Sequence, residues 1–130
     1  MTEITKQRPK FLNLAEIKLP LPGFASILHR ISGIGLFLML PLLIWLLQLS
    51  LGSAESFETL KGVAGHPLVK LILLGLLWAF LHHFCMGIRI LLIDIQIGVE
   101  KQAARASAKA VLAVSLTLTA IFGLKLLGAY

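Results

Sequence analysis

Two groups of side chains in this sequence have types and spacings suited to chemistry, and each lies in or beside an otherwise apolar stretch. The first comprises Ser26, His29 and Arg30. Ser26 and Arg30 are four residues apart, so on a helix they share a face, with Gly33 about one turn further on and His29 close beside them. A hydroxyl and a guanidinium on one face can donate to carbonyl or carboxylate oxygens, which suits a polar head group on an apolar ligand. The plainer reading makes Ser26 a helix cap and Arg30 an interfacial cation. The second group comprises His82, His83, Gly87, Arg89 and Asp94. His83, Gly87 and Asp94 fall on nearly one helical face, where the glycine admits a bulky neighbour. An ionisable group well inside a membrane span costs about 2.5 to 3.5 kcal/mol on insertion scales, so Arg89 is expected to face protein, water or a cofactor. Neutral imidazole is cheaper. It serves either as a hydrogen-bonded helix contact or as an axial ligand of haem iron.

The elements that must position these groups are membrane spans. Of 130 residues, 58% are hydrophobic and 14% charged, with mean hydropathy +0.92, which excludes an ordinary soluble domain and a disordered chain. Cys85 is the single cysteine, so a disulfide scaffold is excluded too. The net charge of +6 does not indicate nucleic acid, because the Lys and Arg residues are scattered and no face interleaves aromatic with basic side chains. Ile31 to Ala54 carries no charge, and about 20 apolar residues suffice to cross a bilayer. The expected architecture is all-α: one domain with an N-terminal segment over 1–23 and transmembrane helices over about 24–51, 68–94 and 106–128. Lys109 and Lys125 lie near the ends of the third span, where long side chains reach the interface. Pro41 is expected to kink the first span, while Cys85, Met86 and Phe84 suit packing.

Orientation follows from the basic residues near the span ends. The N-terminal segment carries Lys6, Arg8, Lys10, Lys18 and Arg30, and the second connection Arg89, Lys101, Arg105 and Lys109, against Lys61 and Lys70 in the first loop. The N-terminus is therefore expected in the cytoplasm and the C-terminus in the periplasm. The first span then leaves the cytoplasmic surface at about Phe24 as the second returns to it at about Asp94, so the two polar groups converge in one leaflet. The sequence contains no HExxH, P-loop or GxGxxG pattern and no carboxylate pair deep enough for acid–base work. Three helices bury little of themselves, so partner helices are expected to complete any cofactor pocket.

Arg8-Pro9, Leu14, Leu21 and the run Ser26-Ile27-Leu28-His29-Arg30-Ile31-Ser32-Gly33 resemble the N-terminal signature of the cytochrome b membrane-anchor subunits of bacterial succinate dehydrogenase. A second signature of that family is matched by His83, Gly87, Ile88, Arg89 and Asp94. The resemblance covers nearly the whole chain. Ile90 stands where the family usually has His or Phe, Ile93 where an aromatic residue or Met is usual, and Lys10 where an aliphatic is usual. What the resemblance implies is an anchor in the bacterial inner membrane, binding a flavoprotein subunit, an iron–sulfur subunit and a second hydrophobic anchor, with succinate oxidised in the partner subunits. It further implies quinone contacts, with ubiquinone as bound substrate, at Ser26, Arg30 and Ile27. His29 and Arg30 would lie near the haem propionates, and His83 would be one axial ligand of a haem b shared with the second anchor. His82 is not at the ligand position. The alternatives are a structural anchor without haem and an anchor of fumarate reductase working in reverse; a transporter would spread its polar residues through the midplane.

Overall fold

The structure is a computed structural model that describes residues 16–128, so Arg8-Pro9, Lys6, Lys10, Leu14 and Tyr130 lie outside the described residues. Five helices follow in order: α1 (Leu21–Leu38), α2 (Leu40–Leu51), α3 (Ala54–Gly65), α4 (Pro67–Asp94) and α5 (Lys101–Leu127). Among the described residues there is no strand. The all-α membrane architecture expected from the sequence is what is found, since α1, α4 and α5 are long and apolar enough to cross a bilayer.

The first span is not one uninterrupted helix. Pro41 has no N–H for the carbonyl of Phe37, and its ring crowds that carbonyl, so the ladder breaks at Met39 (φ −92°, ψ 0°). It resumes at once, with Leu43 N–H donating to Met39 O at 3.0 Å. At 1.5 Å per residue α1 alone rises about 27 Å, just short of the hydrocarbon thickness, and α2 supplies the remainder. α1 starts at Leu21, with Pro20 as its N-cap residue and Phe24 N–H donating to Pro20 O at 3.1 Å. Ser26 therefore lies in the second turn and does not cap the helix.

The connection between α2 and α4, read from sequence as a loop, contains the short helix α3. Ser53 Oγ accepts from Ser56 N–H at 3.2 Å to start it, and Lys61 pairs with Glu58 at 2.8 Å on its exposed face. His66 then caps α4, its Nδ1 accepting from Leu68 N–H at 3.2 Å, while Pro67 occupies the first turn, where no N–H is needed. α5 begins at Lys101, ahead of the apolar stretch that marks the span, because Ala103, Ala104, Ala106 and Ala108 favour helix whether or not lipid surrounds them.

α4 is the centre of the bundle, packed on one side by α1 and on another by α5. The core is small and lies toward one end, formed by Ala25, Met86, Ala108 and Val111 with Leu21, Cys85 and Ile90 packed against it. Alanines at 25 and 108 let three helices approach closely around the long Met86 side chain. The core lies at the end of the bundle that carries both polar groups. Elsewhere the helices present bare apolar side chains, among them Phe37, Leu51, Leu71 and Leu91, each at least 66% exposed, a surface suited to lipid or further helices.

Candidate functional site

α1 and α4 meet along the faces that carry His29 and His83. The two imidazoles stack with centroids 4.0 Å apart and planes 9° from parallel. His83 Nδ1 lies 3.0 Å from the main-chain oxygen of His29 and 3.3 Å from Ser32 Oγ. A carbonyl oxygen can only accept, so in the neutral ring Nδ1 carries the proton and Nε2 keeps its lone pair. His83 Nε2 has no hydrogen-bond partner among the described residues.

Gly33 makes room for this ring. A Cβ at position 33 would stand 2.8 Å from His83 Cε1 and 3.3 Å from Nδ1, closer than side chains tolerate. Gly87 does the same more loosely for the other ring, with His29 Nε2 3.8 Å from where its Cβ would be. Around the pair lies an open groove of about 440 Å³ lined by His29, Arg30, Gly33, Ile34, Phe37 and His83. Of the residues expected at a site, His29, Arg30 and His83 are thus brought together. Ser26 lies on the Arg30 side of α1, one turn earlier, and is partly buried. Ile27 is 37% exposed and about 100° round the helix from Ser26. Neither lines this groove.

The neighbouring histidine has a different setting. His82 is completely buried, its Nε2–H donates to Ala25 O at 3.3 Å, and its ring stacks on Trp78 at 5.3 Å. Its Nδ1 is buried without a partner among the described residues, a penalty offset by the tight packing around it. Arg89 faces protein, as its cost in lipid required. Its Nε–H donates to Ser107 Oγ at 2.9 Å and its Nη2–H to Ala104 O at 3.1 Å, so it ties α4 to the first turns of α5. Asp94 is exposed at the end of α4.

Sequence reasoning missed Ser32 and the Arg89–Ser107 contact. Ser32 is 3% exposed, and the signal that points to it is its place three residues after His29, where a serine in a helix bonds back to the main chain. Among the described residues no group of three or more His, Cys, Asp or Glu side chains could hold a metal ion. One imidazole with a free Nε2 fits a metal that brings its own equatorial ligands, and not a bare ion. Stacking on His29 covers a face of His83, while coordination uses the ring edge.

Residues 4–122 match the family model described as succinate dehydrogenase/fumarate reductase transmembrane subunit. The chain belongs to this family. It is 37% identical over 118 residues to the succinate dehydrogenase cytochrome b556 subunit of Coxiella burnetii, covering 90% of this chain and 94% of that one. It is 32% identical to the subunits of the same name from Rickettsia felis, with 90% and 91% covered, and Paracoccus denitrificans, with 88% of each covered. By their names these relatives are subunits of succinate dehydrogenase, an enzyme complex. The family and the three long apolar helices together make this a membrane subunit.

Proposed function

We propose that the chain is the cytochrome b anchor of a succinate:quinone oxidoreductase in the bacterial inner membrane, supplying one axial ligand to haem b and part of a quinone site. One observation carries the reading: His83 is held by its Nδ1–H on the His29 carbonyl, against Gly33, with Nε2 left unbonded. A proton fixed on Nδ1 orients the ring and raises the basicity of Nε2, which is how protein-held imidazoles are prepared as metal ligands. Bound there, haem would supply a one-electron store close to the quinone. His29 and Arg30 share the groove with His83 and would meet its carboxylates, Arg30 through charge-assisted hydrogen bonds.

Arg30 also heads the quinone proposal. It shares a face with Ser26, so a guanidinium and a hydroxyl can reach one carbonyl oxygen, stabilising negative charge as the quinone is reduced. Ile27, on the adjoining face, would supply apolar contact to the ring. By the excess of basic residues in the sequence up to Arg30, this end of the bundle would lie at the cytoplasmic surface, where the flavoprotein and iron–sulfur subunits would dock. The bare apolar faces would receive the second anchor, which would bring the other iron ligand.

The test is a reduced-minus-oxidised visible spectrum of the purified complex from wild type, His83→Ala and His82→Ala. The expected result is a b-type spectrum that His83→Ala abolishes or shifts and His82→Ala retains. A haem-free wild type, or loss with His82→Ala and not with His83→Ala, overturns the ligand assignment.

A further inference from the structure

The hydrogen bonds beneath His83 are arranged unusually for a helix interior. Ser32 Oγ–H donates to His29 O at 2.9 Å, the same oxygen that accepts from His83 Nδ1–H at 3.0 Å. Position 29 is inside α1, where the regular ladder brings the N–H of residue 33 to that oxygen as well. Three donors thus converge on an atom with two lone pairs. A serine bonding back three residues is commonplace. What is not commonplace is that the carbonyl it occupies also orients a side chain from another helix.

We infer that Ser32 is a positioning residue that governs how much of the His29 carbonyl reaches His83 Nδ1–H, and through it the reduction potential of an iron bound at Nε2. The inference rests on the proposed role of His83 as iron ligand. A stronger Nδ1–H···O bond gives the ring more imidazolate character, which favours ferric over ferrous iron and lowers the potential. Ser32 Oγ–H draws on the carbonyl and weakens that bond. Its oxygen compensates little as a second acceptor, because at 3.3 Å from Nδ1 it is beyond the usual N–H···O separation. Removing the hydroxyl therefore returns the carbonyl to His83, and the potential falls.

Space permits a graded substitution series. On its other side Ser32 borders a second groove of about 410 Å³ between α1 and α4, next to Gly35 and Gly75, where an added Cβ would meet nothing within 4 Å. A threonine methyl can be accommodated there with its hydroxyl kept. Redox titration of the haem band in the purified complex compares wild type with Ser32→Ala, Ser32→Thr and Ser32→Cys.

At the wild-type midpoint, Ser32→Ala is expected to reduce the ferrous-to-ferric ratio about threefold, which for a one-electron couple is about 28 mV. Ser32→Thr keeps the wild-type value, and Ser32→Cys, a weaker donor of similar size, falls between. An unchanged or raised potential in Ser32→Ala overturns the inference, as does an equal shift in Ala and Thr, which reports packing. Where Ser32→Ala does not assemble, the Cys and Thr variants decide by the same criterion. Failure of the underlying reading looks different: the wild type has no haem, or His83→Ala keeps it unchanged.

Discussion

His29 and His83, 54 residues apart in sequence, share two contacts: their rings stack at 4.0 Å, and the main chain of one holds the Nδ1 of the other at 3.0 Å. One residue of α1 therefore constrains both the plane and the rotation of the α4 ring. The constraint depends on Gly33, since the Cβ of any other residue there would crowd His83 Cε1.

Gly33→Ala should accordingly displace His83 more than it destabilises the bundle. The added methyl would stand 2.8 Å from a ring atom, and a ring stacked on one side and tethered at Nδ1 cannot easily withdraw. Overpacking of this kind costs about 1–3 kcal/mol. The expected outcome is haem that is lost or shifted in its visible spectrum, with the thermal midpoint of the complex lowered by only a few degrees. Wild-type haem content and spectrum would show that the ring has another place to go.

Arg30→Ala should separate quinone chemistry from assembly. Arg30 is exposed at the edge of the groove, so its removal leaves no buried group unpaired. A charged hydrogen bond contributes about 1.5–3 kcal/mol, so succinate:quinone activity should fall by about tenfold to a hundredfold. Succinate oxidation with an artificial electron acceptor should be unchanged, because in the proposed function that reaction takes place in the partner subunits. Equal loss in both assays would mean that Arg30 serves assembly.

Much of this arrangement was legible in the sequence because hydropathy and antiparallel topology are enough to bring 26–33 opposite 83–90. His83, Gly33 and Gly87 share the contact for that reason. The rotation of each helix about its axis was not legible, and it decides the rest. It turns Ile27 away from the groove, puts His82 rather than His83 into the core, and aims Arg89 at Ser107 on the third span. The helix α3 was hidden because Glu55, Glu58, Lys61 and three glycines over 52–65 read as a polar connection, although Ser53 is a proper cap. Pro41 was recognised as a kink, but the break appears at Met39, because the carbonyl it deprives lies four residues back.

His82→Leu tests whether the buried neighbour is there for packing. Its Nδ1 has no partner among the described residues, and its one hydrogen bond, to Ala25 O, is 3.3 Å long. Replacing it with an apolar side chain of similar volume should cost less than about 1.5 kcal/mol. The complex should keep its haem and nearly all of its thermal stability. A large loss of stability would mean that the Ala25 contact, or a water on Nδ1, contributes more than its geometry suggests.

Arg89 holds α5 rather than a ligand, and its substitution should reveal that through stability. The side chain is 7% exposed and makes hydrogen bonds to Ser107 Oγ and Ala104 O. Arg89→Ala removes both and leaves a void beside Met86, whose sulfur it also approaches at 3.8 Å. The expected cost is about 2–4 kcal/mol from lost bonds and packing together. Ser107→Ala removes only one partner, and Arg89 keeps its bond to Ala104 O, so a smaller cost of about 1–3 kcal/mol is expected from the Nε–H left without its acceptor. Thermal unfolding of the purified complex gives the ranking, and the haem midpoint potential should stay within error of wild type in both variants, since neither side chain touches His83, His29 or Ser32. A potential shift in Ser107→Ala at unchanged stability would connect Arg89 to the groove and overturn its assignment to the α4–α5 contact.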